Sequence, residues 1–230
     1  MTGMNKARRE LVVVSLALGI VLLPYRSGAG AVGPIDAVVA RVDAACAKVH
    51  DLSATFDQIT TNRTLGEVRE AHGVFMAKRP NKVRWEYQQP EAQLFVSDGH
   101  SLWVYSPEEK QVLVQAIAQV HVSRLPLAFL AGSCDLRQAF DVTLFENAAT
   151  RRDAADILDL RPKTPEAGIA RMLLEVNSKD YTVEKVTVID AYQNTTVITL
   201  SHVQLNVGLP DRLFQFTPPP GVRVVTSPSP

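Results

Sequence analysis

Apolar residues recur along this chain with two different periods. Ile35, Val38, Val39, Val42, Ala45, Val49 and Leu52 fall at three- and four-residue steps, with Arg41, Asp43, Lys48 and Asp51 off that stripe. The spacing predicts one amphipathic helix over residues 34–52. Pro34 suits its first turn, where a missing N–H costs nothing. Further along, the period is two. Val83, Trp85 and Tyr87 alternate with Arg84, Glu86 and Gln88; Leu102 and Val104 alternate with Trp103 and Tyr105; Val112 and Val114 continue the series. Ser97-Asp98-Gly99-His100 separates two such runs, and Asp-Gly is a favoured pair for a tight hairpin turn. Later runs over 140–145, 157–160, 169–176, 182–189 and 195–203 also read as strands. The pattern predicts a large antiparallel sheet or barrel with a helix lying against it.

One stretch departs from the β pattern. Residues 125–132 form a compact apolar run ending in Gly132, a helix-stopping residue, and 135–140 resemble a short capped turn. A long insertion of apolar helical turns in a β fold often serves as a lid. Thr217-Pro218-Pro219-Pro220-Gly221 reads as rigid and extended, and residues 227–230 as a frayed tail. No internal repeat or further domain boundary is visible.

With 230 residues, 46% hydrophobic and 21% charged, the chain has the content of a globular domain and not of a disordered one. Its formal net charge of zero offers no general attraction to nucleic acid. That balance is unevenly placed, because residues 1–31 carry Lys6, Arg8, Arg9 and Arg26 against Glu10 alone. Lys6, Arg8 and Arg9 form a basic start, residues 11–23 an apolar run, and Ala29-Gly30-Ala31 a small-x-small cleavage pattern. The run is shorter than the roughly 20 residues a permanent span needs. Residues 1–31 therefore read as a signal peptide, with an uncleaved anchor as the alternative. Residues 32–230 then form one domain outside the cytoplasm, acidic overall once the basic leader is gone.

Two cysteines, Cys46 and Cys134, permit one disulfide in an exported chain, and equally two buried thiols. A bridge would close a loop of about 90 residues, worth roughly 4–5 kcal/mol in a chain-entropy picture. His50, His72, His100, His121 and His202 are scattered, without ligand spacing, and no G-x-S-x-G, H-E-x-x-H or phosphate loop occurs. Asp153, Asp156 and Asp159 read as a solvated face. Asn62-Arg63-Thr64 and Asn194-Thr195-Thr196 match a glycosylation sequon, a frequent chance pattern. Nothing here assembles a catalytic group, a metal site or a cofactor site, so the sequence predicts neither an enzyme nor a cofactor. An apolar helix, an apolar run and an apolar-rich sheet suggest a cavity for a hydrophobic ligand; a plain packed β core satisfies the same periodicity.

The segment Met76-Ala77-Lys78-Arg79-Pro80-Asn81-Lys82-Val83-Arg84-Trp85 resembles that of the LolA family of periplasmic lipoprotein carriers. Pro90, Val96-Ser97-Asp98-Gly99, Leu102-Trp103-Val104-Tyr105 and Gln111-Val112 follow in the family's order. So do Leu52-Ser53-Ala54-Thr55-Phe56-Asp57-Gln58 near the start and Phe214-Gln215-Phe216-Thr217-Pro218-Pro219-Pro220-Gly221-Val222 near the end. The similarity covers about residues 34–226. It implies a mainly β fold with α elements: an unclosed antiparallel β-barrel, or half-barrel, covered by the N-terminal helix and a helical lid. It also implies a monomer in the periplasm that binds the acyl chains of lipoproteins. An inner-membrane ABC transporter would load it and an outer-membrane receptor would accept the cargo. The matching positions make Arg79 a latch to lid carbonyls at Ala128, Leu130 and Ala131. They make Val83, Trp85, Leu94, Val96, Leu127, Phe129 and Leu130 the lipid-cavity lining. The family often carries a larger residue at the position of Val83, and the cysteine pair is no part of its pattern. Two variants of the reading keep the fold: a paralogue carrying another lipid, and an RseB-like envelope sensor, which would normally add a second domain.

Overall fold

The computed structural model describes residues 34–117, 134–145, 155–164 and 168–226. The chain divides into Met1–Ala31 and Val32–Pro230, and every described residue lies in the second unit. Its elements are helix α1 (Pro34–Ala47), strands β1 (Asp51–Asn62), β2 (Glu67–Lys78), β3 (Lys82–Gln89), β4 (Gln93–Asp98), β5 (Ser101–Ser106) and β6 (Gln111–Ala116), and the single turn α2 (Leu136–Ala139). Strands β7 (Phe140–Leu144), β8 (Ala155–Pro162), β9 (Arg171–Asn177), β10 (Val183–Ile189) and β11 (Thr195–Leu205) follow, then a 3-10 turn (Asp211–Phe214) and β12 (Arg223–Thr226).

All twelve strands belong to one sheet in the order β12-β6-β5-β4-β3-β2-β1-β11-β10-β9-β8-β7. Two meanders, β1–β6 and β7–β11, meet where β1 pairs antiparallel with β11. Among the described strands, only β12 runs parallel to its neighbour, β6. β12 and β7 are the two ends of the order and do not pair with each other, so the sheet is unclosed.

The helix is shorter than its periodicity predicts. It ends at Ala47, and Asp51 and Leu52 already belong to β1. Leu52 satisfies both periods, because it is also the first inward position of the run Leu52, Ala54, Phe56, all buried. Strand pairing on both sides of β1 outweighs one more helical turn. Val39 and Val42 keep the inward stripe of α1 buried against the sheet, and Asp36 in its first turn is placed favourably for the helix dipole. The segment 135–140 forms α2 as expected, with the Asp135 side chain accepting from the Gln138 N–H as an N-cap.

One face of the sheet carries a continuous apolar core, from Val142 and Leu160 through Leu174, Val186 and Ile198 to Phe56, Phe75 and Trp85. Gly73 is required within it: a Cβ there would lie 2.0 Å from the Glu86 carbonyl oxygen and 2.8 Å from the Phe56 ring. At the β4–β5 hairpin the turn residues are Gly99 and His100, with Gly99 at φ +97°. Asp98 precedes the turn and accepts from the His100 and Ser101 backbone N–H groups, each at 2.8 Å.

One sequence expectation is corrected by burial. Asp159 is buried and receives two hydrogen bonds from Arg171, Nε to Oδ1 and Nη2 to Oδ2, both 2.8 Å. It is a bidentate ion pair, not part of a solvated face. Asp153 lies outside the described residues.

Candidate functional site

Between α1, α2 and the β1–β11–β10 part of the sheet lies an apolar cavity of about 50 Å³ that opens to solvent. Val42, Ala45 and Val49 line it from the helix side, Leu136 from α2, and Leu52, Val183, Leu200, Val203 and Leu205 from the sheet. Val203 and Leu205 are 39% and 38% exposed, so the cavity reaches solvent beside them. The local sequence explains the opening. After Leu200 the strand β11 continues past the helix cover, and its apolar residues lose their neighbours.

Six polar or sulfur-bearing residues interrupt this wall: Asp43, Arg79, Tyr181, Thr182 and the two cysteines. Cys46 and Cys134 form a disulfide with their Cα atoms 5.6 Å apart, tying α1 to the segment that leads into α2. Arg79 follows β2, and its backbone N–H donates to the His50 carbonyl at 2.9 Å, which fixes it beside the α1–β1 junction. Its Nη2 lies 2.7 Å from the Cys46 Sγ and also contacts the Cys134 Sγ. Its Nε is buried with no hydrogen-bond partner among the described residues. Burial lowers the Arg79 pKa, since leaving water disfavours the charged form. Asp43, from the helix side, has a buried Oδ1 that likewise lacks a partner among the described residues. Burial raises its pKa; the Leu136 backbone N–H and Arg137 oppose that shift, and Asp135 adds to it.

The residues expected to line a lipid cavity are not all brought together. In the β3–β4 register Val83 faces Ser97, Arg84 faces Val96, Trp85 faces Phe95 and Glu86 faces Leu94. Directly opposed residues share a face. Val83 and Trp85 are therefore on the helix-covered face, whereas Leu94 and Val96 are on the other, beside Arg84 and Glu86. That outer face is not bare. Fully buried Phe214 and the pair Tyr105–Phe216, with ring centroids 5.4 Å apart, form a second apolar layer under the C-terminal segment. Trp85 itself sits in an aromatic cluster, 5.6 Å from Phe56, 5.8 Å from Phe75 and stacked 5.5 Å from Tyr87. Leu127, Phe129 and Leu130, and the expected latch partners Ala128, Leu130 and Ala131, lie outside the described residues.

The C-terminal segment is anchored near the cavity by charge. The Asp51 carboxylate, buried at 5% exposure, accepts from the backbone N–H groups of Val207, Gly208 and Leu209. Asp211 pairs with Lys78 at 2.7 Å and Lys82 at 2.9 Å, which hold its carboxyl at about 2. These residues, and the wall on β10 and β11, were not singled out from sequence. Val183, Leu200 and Val203 fall in the runs 182–189 and 195–203 that read as strands, which does not say what lies over them. Among the described residues no group of three metal-ligating side chains occurs.

Residues 47–217 match the family model described as Outer membrane lipoprotein carrier protein LolA. An outer-membrane lipoprotein carrier protein of Dechloromonas aromatica is 31% identical over 89% of this chain and 91% of its own. One from Chromobacterium violaceum is 33% identical over 86% of this chain and 92% of its own. Among solved structures, an uncharacterized conserved protein from Thermus thermophilus has the same fold at 15% identity, with a TM-score of 0.54, covering 83% of this chain and 98% of that one.

Proposed function

The chain belongs to the LolA family of outer membrane lipoprotein carrier proteins, and from that premise we propose that it binds the acyl chains of lipoproteins in its apolar cavity and moves them through the periplasm from inner to outer membrane. In this reading it is a binding protein without catalytic activity, exported by the signal peptide of residues 1–31. An inner-membrane ABC transporter loads it and an outer-membrane receptor unloads it. The observation that carries the reading is the apolar cavity between α1 and the sheet, open beside Val203 and Leu205.

The energetics suit a carrier. Each buried methylene is worth about 0.8 kcal/mol, so a sealed cavity enclosing several acyl chains would never release them. An open wall buries them incompletely and keeps the affinity transferable. Arg79 is the proposed latch. Its guanidinium carries five donors, and its Nε, buried in the cavity wall, has no partner among the described residues, so a ligand or a lid carbonyl that reached it would satisfy it. Hydrogen bonds worth roughly 1 kcal/mol each, somewhat more from a charged donor, are weak enough to open.

Native mass spectrometry of the protein isolated from the periplasm tests the reading. A co-purifying triacylated lipoprotein supports it; a free lipid alone points to the paralogue. Arg79→Leu should still load cargo, because the apolar wall supplies most of the binding energy, and fail to pass it on; normal onward transfer refutes the latch.

A further inference from the structure

Two ionisable groups of opposite sign line the same apolar cavity without pairing with each other. Asp43 enters it from α1 and Arg79 from the end of β2. Each presents one fully buried polar atom, Oδ1 and Nε respectively, that finds no partner among the described residues. Such atoms are costly to keep, and neither can turn away freely. Arg79 is held by its Nη2 against both disulfide sulfurs, and Asp43 is fixed on α1 beside Cys46, which the disulfide ties down. An apolar pocket with a few convergent polar groups is the form of a site that reads one polar feature of a largely apolar ligand. Tyr181 and Thr182 also line the cavity, but its unpartnered buried atoms are one donor and one acceptor.

We propose that Arg79 and Asp43 together recognise a secondary amide at the root of an acyl chain: Arg79 Nε–H donates to the amide carbonyl oxygen, and Asp43 Oδ1 accepts from the amide N–H. The inference rests on the carrier reading above and adds what selects the cargo. An N-acylated protein terminus has both halves of this amide. An ester-linked membrane lipid offers a carbonyl oxygen but no N–H, so it leaves Asp43 buried and unmatched. Its phosphate is repelled by the same carboxylate. A free fatty acid suits Arg79 and opposes Asp43. The pair thus favours N-acylated protein over the ester lipids that surround it in far larger amounts, in the way a site built to hydrogen-bond an N–H rejects the analogue lacking it.

The test uses the full chain and two synthetic probes, an N-palmitoyl glycyl peptide and the same peptide with that amide replaced by an ester. Binding is followed by titration calorimetry. The wild type should favour the amide by roughly tenfold, the worth of one charge-assisted hydrogen bond. Asp43→Leu should lose that preference by weakening amide binding, and Asp43→Asn, which keeps an acceptor oxygen, should retain part of it. Circular dichroism melts confirm that both variants are folded. Equal binding of the two probes by the wild type overturns the amide assignment while leaving an acyl carrier in place. A preference that survives in Asp43→Leu removes Asp43 from it. Failure of both probes to bind overturns the carrier reading itself.

Discussion

Reduction of the Cys46–Cys134 bridge removes a constraint that spans 88 residues of chain. In the chain-entropy model a closed loop of that length lowers the entropy of the unfolded chain by about 15 cal/mol/K, or about 4.6 kcal/mol at 25 °C. The native side of the balance should change little. The two Cα atoms are already held 5.6 Å apart by α1 and α2 packing on the sheet, and Arg79 Nη2 keeps sulfur partners after reduction. The loss therefore acts through the unfolded state. For a chain of this size it should lower Tm by about 10–15 °C. Thermal melts of the full protein with and without a phosphine reductant, and of the Cys46→Ser/Cys134→Ser variant, measure it, with a thiol count on each sample. A drop below about 3 °C with two reduced thiols confirmed would refute the entropic reasoning. Two reactive thiols in protein isolated without reductant would refute the bridge.

Three further perturbations test the packing and the charges. Gly73→Ala places a Cβ 2.0 Å from a backbone oxygen of β3; only separating β2 from β3 relieves it, so urea unfolding should show a loss of about 3 kcal/mol or more. Burial raises the Asp43 carboxyl against the pull of the Leu136 N–H and Arg137, with Asp135 adding and Arg79 on the same cavity wall. Its folded form thus holds a proton more tightly than its unfolded form, and stability falls as pH rises through the raised value. Asp43→Asn should accordingly melt higher relative to the wild type at pH 7 than at pH 3.5. Asp211 is shifted the other way, to about 2 by Lys78 and Lys82. Its contribution is present above about pH 4 and lost as pH falls towards 2, so amide protection in residues 206–214, taken relative to the intrinsic exchange rate at each pH, should fall over that window, and in Asp211→Asn should be low throughout.

Much of the architecture was legible in the chain. The two-residue period marks β3 and β5, Asp98-Gly99 marks their hairpin neighbourhood, and the helical stripe marks α1. β1 and β2 escaped because their outer halves are polar on both faces; Glu67, Arg69, Glu70 and His72 are all exposed. β12 escaped because a short parallel pairing after a proline run has no local signature. Alternation also says that two faces exist without saying what covers each. Leu94 and Val96 are as apolar as Val83 and Trp85, yet the C-terminal segment, and not the helix, lies over their face. The cavity wall on β10 and β11 needs long-range pairing of β1 with β11 to reach α1, and no local pattern carries that. Asp43 reads as a residue off the apolar stripe and becomes part of the cavity because α2 is tied across it by the disulfide.

The carrier reading stands or falls on whether this protein makes acylated lipoproteins soluble. Purified full-length protein is added to spheroplasts of a strain lacking its gene, and the medium is analysed for lipoproteins after sedimentation. The account predicts triacylated lipoproteins released as soluble complexes with the protein, which then surrender them to outer-membrane vesicles. Lipoproteins that remain in the membrane pellet at every protein concentration would contradict it.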